Sequence, residues 1–256
     1  MSQIKCYLRC PRQYQLKYVL GVEPAFVPAA LAFGSAFHVA LGYFYGLLKE
    51  VGSVPGPGEL AEVFRDAWDN AASGPVPLQA EDEEDAEADP VAQGVDMLAA
   101  FHREAAARPV RVEAVERGFA VGLHDPDTGE VLEEKLVGAL DLVVWDGERR
   151  VVVEHKTAAR RYSQDQLRYD LQPTAYKFAA AQLGLGEVGV RLQVVTKTKE
   201  PAVQVEEVER DGRDVDDFLR TVVGVLRAVD AGAFYPVRGW QCRGCPYGHA
   251  CVATEP

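Results

Sequence analysis

A predicted β-hairpin near the middle of the chain constrains the fold more than any other segment. Residues 137–158, VGALDLVVWDGERRVVVEHKTA, hold two apolar runs rich in β-branched residues on either side of the turn sequence DGER, a pattern typical of paired strands. Asp141, Glu154 and Lys156 interrupt these runs. Because side chains alternate between the faces of a strand, Glu154 and Lys156 share one face, and His155 points to the other.

The length of the turn decides where Asp141 lies. A loop over residues 146–147 places Asp141 opposite Val152 and diagonal to Glu154, whereas a loop over 146–149 places it directly opposite Glu154. Both registers put Asp141 on the face of Glu154 and Lys156, but a three-residue loop would turn it to the other face. Opposed Cβ atoms are about 4.5–5.5 Å apart and diagonal ones about 7–8 Å. Two carboxylates at such distances can hold one hard cation.

The ordinary alternative is that Glu154 and Lys156 form a solvated pair on an edge strand. However, the strand that carries them begins as an apolar run, and Asp141 also lies in a run apolar enough to be buried on both faces. Charges in buried strands must be paired or must bind a metal. This argument favours a metal site.

The sequence G-A-L-D, followed by a turn and V-V-V-E-H-K-T, resembles the signature of PD-(D/E)XK nucleases in its RecB-like form. Further motifs of that group follow the family order: C-P-R at Cys10, G-x-x-x-H at Gly34 and His38, Q-x-x-x-Y at Gln172 and Tyr176, and C-x2-C-x5-C at Cys242, Cys245 and Cys251. The resemblance covers nearly the whole chain. It implies an α/β fold, with a restriction-endonuclease-like core in which helices flank a central mixed β-sheet.

The resemblance also implies roles for these residues. In the family, the counterparts of Asp141, Glu154, His38 and the backbone carbonyl of His155 hold Mg²⁺ or Mn²⁺. Lys156 orients the attacking water or neutralises charge at the phosphate. Taken alone, a histidine in the first turn of a helix is usually a packing or capping residue.

The roles of four further residues are less determined. The resemblance implies that Gln172 and Tyr176 contact DNA and buttress the site, but Tyr176 also fits an ordinary helix interface. In several related nucleases an acid on the first strand or the helix before it assists the metal. Glu113 and Glu116 both lie on the strand predicted over residues 109–123. The sequence does not choose between these two acids.

Cys242, Cys245 and Cys251 lie close together near the C-terminal end, a spacing that in a cytosolic chain favours metal over disulfide. Cys10, about 230 residues earlier, supplies a fourth thiolate. The resemblance implies a 4Fe–4S cluster on these four residues, which would join the N- and C-terminal segments. Thiolates serve zinc equally well, and His249 could replace one ligand there. Cys6 does not match the family motif.

The segments predict one domain over residues 1–256. Helices over 2–50, the first broken at Pro11 and the second starting at 33, carry the cluster cysteine and the metal histidine. Residues 50–90 begin with a turn-rich break, continue as a short helix and end in an acidic stretch, and together they predict a mobile insertion or surface arm. A helix over 91–107 precedes a catalytic core over 109–200, whose later helix breaks near Pro173. Residues 234–256 form the C-terminal cluster segment.

The formal charge of −12 is unusual for a protein that binds nucleic acid. Seven acids lie within residues 81–89, whereas basic residues collect near the motifs, and local charge matters more than the total. The predicted DNA contacts are Arg12, Arg160, Arg161, Lys197 and Lys199. The two lysines share one face of a predicted strand, where a solvated edge is an equal alternative.

These features predict a metal-dependent DNA nuclease, acting as an exonuclease on single-stranded DNA or DNA ends. Helicases or CRISPR integration proteins are the expected partners, in recombination, repair or spacer acquisition. We expect a cytoplasmic protein, because no apolar run reaches the length of a membrane span and the start lacks a signal-peptide core. Two alternatives stay open: a non-catalytic DNA-binding module of a helicase–nuclease complex, and a structural zinc protein with an incidental hairpin. The intact D…E-x-K set counts against the first.

Overall fold

The structure, a computed structural model, describes residues 1–80 and 89–252. The first part of the chain is mainly helical. It contains α1 (Ser2–Arg9), α2 (Pro11–Tyr14) with a π-helical turn after it (Gln15–Val19), β1 (Val27–Pro28), α3 (Ala29–Val51), α4 (Pro57–Ala72), β2 (Leu78–Gln79) and α5 (Pro90–Ala107). Pro11 separates α1 from α2, as predicted, since the residue before a proline favours extended backbone and Cys10 has φ −163° and ψ 106°.

The second part alternates strands and helices. It contains β3 (Arg111–His124), β4 (Val131–Asp146), β5 (Arg149–Ala158), α6 (Gln164–Tyr169), α7 (Leu171–Gln182), β6 (Val188–Thr196), β7 (Val203–Glu207), α8 (Gly212–Asp230), a 3₁₀ turn (Trp240–Cys242) and α9 (Gly248–Val252). The predicted break near Pro173 falls at Asp170, which caps α7, and Pro173 sits in the first turn of that helix.

Five strands form one mixed sheet in the order β3-β4-β5-β6-β7. All neighbours are antiparallel except β5 and β6, which run parallel. Helices α3, α4 and α5 pack on one face, and α1, α7 and α8 pack on the other. Val151 and Val153 face the first layer and Val152 faces the second, so β5 is buried on both sides. The predicted central mixed sheet flanked by helices is therefore confirmed.

The hairpin of β4 and β5 turns at Gly147 and Glu148, because Asp146 pairs with Arg149. Gly147 has φ +62°, a left-handed conformation that glycine adopts without a steric penalty. Leu142 pairs with Val153. This is the register of the longer predicted loop, closed by one additional residue pair.

Residues 57–72 correct one prediction from the sequence. The short helix expected from the sequence is present as α4, but it is not a surface arm, because Leu60 and Phe64 are 0% exposed. Phe64 packs so closely on α5 that a Cβ on Gly94 would clash with the phenyl ring. One face of α4 therefore belongs to the core. Residues 81–88, which carry most of the acidic stretch, lie outside the described residues.

Helix α3 is long and apolar enough to cross a membrane by length and composition. It begins four residues before its predicted start and is longer than the apolar segments expected from the sequence. Phe33, Phe37, Leu41 and Phe44 are nevertheless buried in the core with α4 and α5. Burial on several sides is a sufficient reason for such a composition.

The two ends of the described chain lie side by side. Tyr7 donates its hydroxyl hydrogen to the carbonyl of Ala233 at 2.7 Å. The amide of Arg12 donates to Tyr235 at 3.1 Å, and the amide of Ala25 donates to the carbonyl of Pro246 at 2.9 Å. The N-terminal helices are thus fastened to the segment that carries the last three cysteines.

Candidate active site

Asp141, Glu154 and Lys156 meet where the pairing of β4 and β5 ends. The register, continued by one residue from Leu142, places Asp141 opposite Glu154. Asp141 Oδ2 accepts a hydrogen bond from the backbone amide of His155 at 3.0 Å. Lys156 Nζ forms an ion pair with Glu154 Oε1. The three charged residues therefore lie on one face of the hairpin, as the alternation of side chains predicted.

A third acid extends this row onto β3. The pairing of Val115 with Leu142, continued along the strand, places Glu116 opposite Asp141. Glu116 has φ +47°, a left-handed conformation that is uncommon outside glycine and that often accompanies a functional site. Glu116, Asp141 and Glu154 thus form a row across three neighbouring strands.

His38 approaches the row from α3. Its Nε2 lies 3.1 Å from the carbonyl oxygen of His155, and its Nδ1 lies 3.6 Å from Asp141 Oδ2. His38, Glu116 and Asp141 each offer one ligand atom, and these atoms all lie within 4.8 Å of one another. These three residues could hold a metal ion. The predicted carbonyl of His155 lies beside them.

The acids are costly to bury without a cation. Burial, and then the neighbouring Glu154, raise the pKa of Asp141 to about 8. Burial also raises the pKa of Glu116. Glu154 is 1% exposed, and its Oε2 finds no hydrogen-bond partner within residues 1–80 and 89–252. A buried carboxylate oxygen without a donor, beside two crowded acids, fits an oxygen-seeking divalent cation.

Gln172 and Tyr176 hold the other side of Lys156. Lys156 Nζ donates to Gln172 Oε1 at 3.0 Å, and Gln172 Nε2 donates to Tyr176 Oη at 2.8 Å. Tyr176 is 3% exposed, so it also packs in the helix–sheet interface. Burial alone would lower the pKa of Lys156, but the charge of Glu154 and the hydrogen bond to it raise that pKa overall. Lys156 therefore stays an ammonium ion.

The side chain of His155 lies in the core. Its ring stacks on Tyr45, with centroids 5.5 Å apart and planes at 19°, and Phe101 packs edge-on against it. Burial lowers the pKa of His155 to about 3, which keeps the ring neutral. Only its backbone reaches the acids: the amide donates to Asp141, and the carbonyl lies on the side of His38.

Four of the five predicted DNA contacts lie at one edge of the sheet. Arg160 and Arg161 follow β5, and Lys197 and Lys199 follow β6, whose end is joined to that of β5 by a hydrogen bond from the amide of Lys197 to Ala158 at 2.8 Å. One detail of the prediction is wrong, because β6 ends before the two lysines and they occupy a loop. Lys197 Nζ lies 4.2 Å from the ring centroid of Phe33.

Arg12 lies apart from this edge. It belongs to α2, where its guanidinium contacts Gln15 and its backbone binds the C-terminal segment. An open cleft of about 690 Å³ between α3 and the end of β5 reaches Glu116, the one acid of the row that lines it. Its walls include Gly34, His38, Glu116, Lys156 and Thr157. A larger cleft of about 990 Å³ surrounds Arg149 and Lys177 at the far end of the hairpin.

The structure brings the N- and C-terminal cysteines into one region. Cys10 Sγ accepts a hydrogen bond from the amide of Val237 at 3.5 Å. Burial raises the pKa of Cys245, and the nearby Cys10, Cys251 and Cys242 raise it further. Cys6 shares this neighbourhood. In the part of the chain that the structure describes, no three of these sulfur atoms lie within 4.8 Å of one another.

Three residues of the site cannot be identified from the sequence. Glu116 and Glu113 are equal candidates there, but in the structure Glu113 pairs with Arg150 at 2.8 Å. Lys5 and Asp170 form an ion pair of 2.7 Å next to Gln172. The register of β3 and β4 would have selected Glu116, but no signal in the sequence joins Lys5 to Asp170.

One class of metal-dependent nuclease folds is defined by a buried hairpin that presents two acids and a lysine. Side chains that could bind a metal lie beside them, as His38 and Glu116 do here. The family described as the PD-(D/E)XK nuclease superfamily matches residues 1–252. The chain belongs to this superfamily. No curated protein sequence matches it.

Two solved structures resemble the fold. A proposed exonuclease from Eubacterium rectale superposes with a TM-score of 0.59 at 15% sequence identity, over 100% of this chain and 87% of that one. A protein named SSO0001 superposes with a TM-score of 0.40 at 13% identity, over 96% of both chains. At these identities the first likeness concerns the fold alone, and the second is too distant to carry an argument.

Proposed function

We propose that this protein is a Mg²⁺- or Mn²⁺-dependent deoxyribonuclease that degrades single-stranded DNA or DNA ends as an exonuclease. The observation that carries the proposal is the buried row of Asp141 and Glu154 with Lys156 at its end, in which Glu154 Oε2 has no protein donor among the described residues. Membership of the nuclease superfamily supports the reaction class.

The ligands proposed for the divalent metal are His38, Asp141, Glu154 and the carbonyl of His155, and the geometry adds Glu116 to this set. These are mainly hard oxygen donors, which Mg²⁺ and Mn²⁺ prefer. When bound, such an ion lowers the pKa of a water ligand and stabilises negative charge at phosphorus. The carboxylates would hold the ion beside the cleft that Glu116 and Lys156 line.

Lys156 is proposed to orient the attacking water or to neutralise charge at the scissile phosphate. Glu154 and Gln172 hold its ammonium from two sides, so little rotamer freedom remains to be lost when substrate binds. Tyr176 fixes the amide of Gln172. An ordered cation aimed at developing negative charge is a strong source of transition-state stabilisation.

The substrate path follows the basic edge of the sheet. Two arginines, Arg160 and Arg161, follow the end of β5, a few residues after Lys156 in the sequence. Lys197 and Lys199 follow the end of the neighbouring strand β6. Cations so placed can neutralise backbone phosphates. Arg12 is proposed to contact DNA farther from the acids. The fold likeness to a proposed exonuclease agrees with attack at DNA ends.

The cysteines are proposed to hold a 4Fe–4S cluster through Cys10, Cys242, Cys245 and Cys251. One zinc ion would draw its sulfur ligands to about 3.8 Å from one another, because Zn–S bonds are about 2.3 Å in a tetrahedron. A four-iron cluster distributes its thiolates over separate irons. Cys10, Cys242 and Cys251 all lie near Cys245, which supports one shared site. The family resemblance favours the cluster in this proposal, and His249 is the alternative ligand for a zinc ion.

The proposed setting is recombination and repair or the acquisition of CRISPR spacers, with a helicase or integration proteins as partners. A nuclease confined to DNA ends needs another protein to open the duplex or to use the trimmed product.

Cleavage of end-labelled single-stranded DNA tests the proposal. Linear DNA labelled at the 5′ or the 3′ end and circular DNA of equal length are each incubated with Mn²⁺, with Mg²⁺ or with EDTA. We expect degradation of the linear DNA with either metal, protection of the circle, and no reaction in EDTA. Cleavage of the circle would show an endonuclease, and intact DNA under all conditions would favour a non-catalytic module.

A further inference from the structure

Lys5, on the N-terminal helix, reaches the group that holds Lys156. Its Nζ lies 2.7 Å from Asp170 Oδ1 and 3.3 Å from Gln172 Oε1. Gln172 Oε1 also accepts the hydrogen bond from Lys156 at 3.0 Å. One amide oxygen therefore bridges two ammonium groups, from residues that are 151 positions apart in the sequence.

The amide of Gln172 has one orientation that satisfies its neighbours. Its Nε2 donates to Tyr176 Oη at 2.8 Å, so the oxygen is left for the lysines, which can only donate. Lys5 completes this arrangement because it occupies the second acceptor position of the oxygen. Loss of Lys5 would leave Gln172 held by Lys156 and Tyr176 alone.

Asp170 connects Lys5 to the whole of α7. It is the N-cap of that helix, and its Oδ1 accepts a hydrogen bond from the amide of Gln172 at 3.0 Å. Burial would raise the pKa of Asp170, but the hydrogen bond from Lys5 and the amide of Gln172 lower it overall. The carboxylate stays charged, and Lys5 is its ion-pair partner.

Lys156 is a second cation that acts on Asp170. If Lys5 were absent, the largely buried carboxylate would keep two nearby cations, Lys156 and Arg210. The guanidinium of Arg210 is already held by Thr174 and by the carbonyls of Leu167 and Asp170. The ammonium of Lys156 would then be drawn from Glu154 and the cleft toward Asp170. The charge of Lys5 thus balances Asp170, which would otherwise compete with Glu154 for the ammonium of Lys156.

Helix α1 is docked firmly enough to place Lys5. Ile4 and Tyr7 are buried in the core layer that includes α7 and α8, and Tyr7 also binds the carbonyl of Ala233. The position of Lys5 is therefore set by the fold and not by the flexible stem of the lysine alone.

We propose that Lys5 is a positioning residue of the nuclease reaction, which acts through Asp170 and Gln172 to keep Lys156 beside Glu154. The inference rests on the proposed function and makes the N-terminal helix part of the active site. Lys5 does not contact the reacting phosphate.

Lys5→Met tests it, because methionine keeps most of the aliphatic stem and removes the ammonium. We expect kcat to fall roughly tenfold, about 1.4 kcal/mol, while KM for DNA changes less than about twofold. Lys5→Arg should recover part of the loss. Arg9→Met is the matched control, since Arg9 lies one turn along the same helix over the ring of Trp240, and its kcat should match wild type.

Asp170→Asn sharpens the test. Asparagine caps a helix as well as aspartate but carries no charge to attract Lys156. The double variant Lys5→Met/Asp170→Asn should therefore turn over faster than Lys5→Met alone. Additive losses, or a rise in KM with unchanged kcat, would overturn the inference and make Lys5 an ordinary structural or DNA-binding residue.

Hydrogen exchange separates this inference from the proposed function. Lys5→Met should speed amide exchange in the first turn of α7 relative to wild type and Arg9→Met, whether or not DNA is cleaved. An inactive wild-type protein would refute the proposed function alone. Unchanged exchange in α7 would overturn the positioning role.

Discussion

The carboxylate of Asp141 accepts a hydrogen bond from the backbone amide of His155 across the central hairpin, at 3.0 Å. This bond holds the acid at the point where β4 and β5 separate. An amide oxygen at the same place can accept the same bond. Asp141→Asn therefore changes the charge of the site with little effect on the hairpin.

Lys156→Ala should abolish turnover and spare the metal. The variant removes the ion pair with Glu154 and the hydrogen bond to Gln172, but every proposed ligand remains. We expect cleavage at least about a hundredfold slower, with Mn²⁺ affinity by calorimetry equal to wild type or tighter. Lys135→Ala, at an exposed position on β4, is the control. Loss of Mn²⁺ binding in Lys156→Ala would instead show that this lysine is needed to keep the metal site intact.

Gln172→Ala and Tyr176→Phe should have smaller effects than loss of a ligand. Tyr176→Phe removes the hydrogen bond from Gln172, whereas Gln172→Ala removes that bond and those from Lys156 and Lys5. A hydrogen bond to a charged group contributes about 1.5 kcal/mol or more, so turnover should fall roughly tenfold. Gln182→Ala, exposed at the end of the same helix, should behave as wild type. Wild-type kinetics in both test variants would leave α7 with a packing role only.

Serine at Cys10, Cys242, Cys245 or Cys251 should remove iron in an all-or-none way, whereas Cys6→Ser should retain it. A cross-link that closes a loop of about 230 residues strongly constrains the unfolded chain, and metal binding is coupled to folding of the segments that it joins. Both ends should become sensitive to protease together. The measurement is iron per chain with visible absorbance. Iron retained in Cys10→Ser and lost in Cys6→Ser would show that Cys6, and not Cys10, is the N-terminal ligand. A colourless protein with bound zinc would show that the site holds zinc instead of an iron–sulfur cluster.

Gly94→Ala should destabilise the fold although alanine favours helices. A Cβ at Gly94 would meet the ring of Phe64, which is fully buried, and overpacking costs about 1–3 kcal/mol. Gly46→Ala in α3 meets nothing within 4 Å, so it should stabilise by up to about 1 kcal/mol. The free energy of unfolding in urea measures both. Equal stabilisation by the two variants would contradict the packing of α4 in the core.

The face of the hairpin could be predicted because alternation leaves only two choices. Turns of two and of four residues both place Asp141 on the face of Glu154 and Lys156. The sequence is therefore sufficient to predict that these three residues share a face. The family resemblance points to Gln172 and Tyr176, and their spacing of four residues places them on one face of a helix. The alternation of side chains along a strand and their spacing along a helix can be read from the sequence. The relative placement of these residues depends mainly on those two patterns.

The remaining residues depend on distant contacts. The choice of Glu116 over Glu113 rests on an irregularity of β3 between Val112 and Ala114, which shifts the register without a sequence signal. Lys5 meets Asp170 only because α1 docks on α7. The sequence indicates a short helix where α4 lies, but not its burial, because the helix stands between a turn-rich segment and an acidic one.

Mn²⁺ binding and DNA cleavage by Glu154→Gln and Asp141→Asn test the central claim most directly. Glu133→Gln, an exposed change on the strand of Asp141, is the matched control. We predict folded variants with weakened Mn²⁺ binding and cleavage at least about a hundredfold slower, a loss of about 2.7 kcal/mol of transition-state stabilisation, while the control matches wild type. Wild-type turnover in either variant would contradict the claim that these two acids form the catalytic metal site.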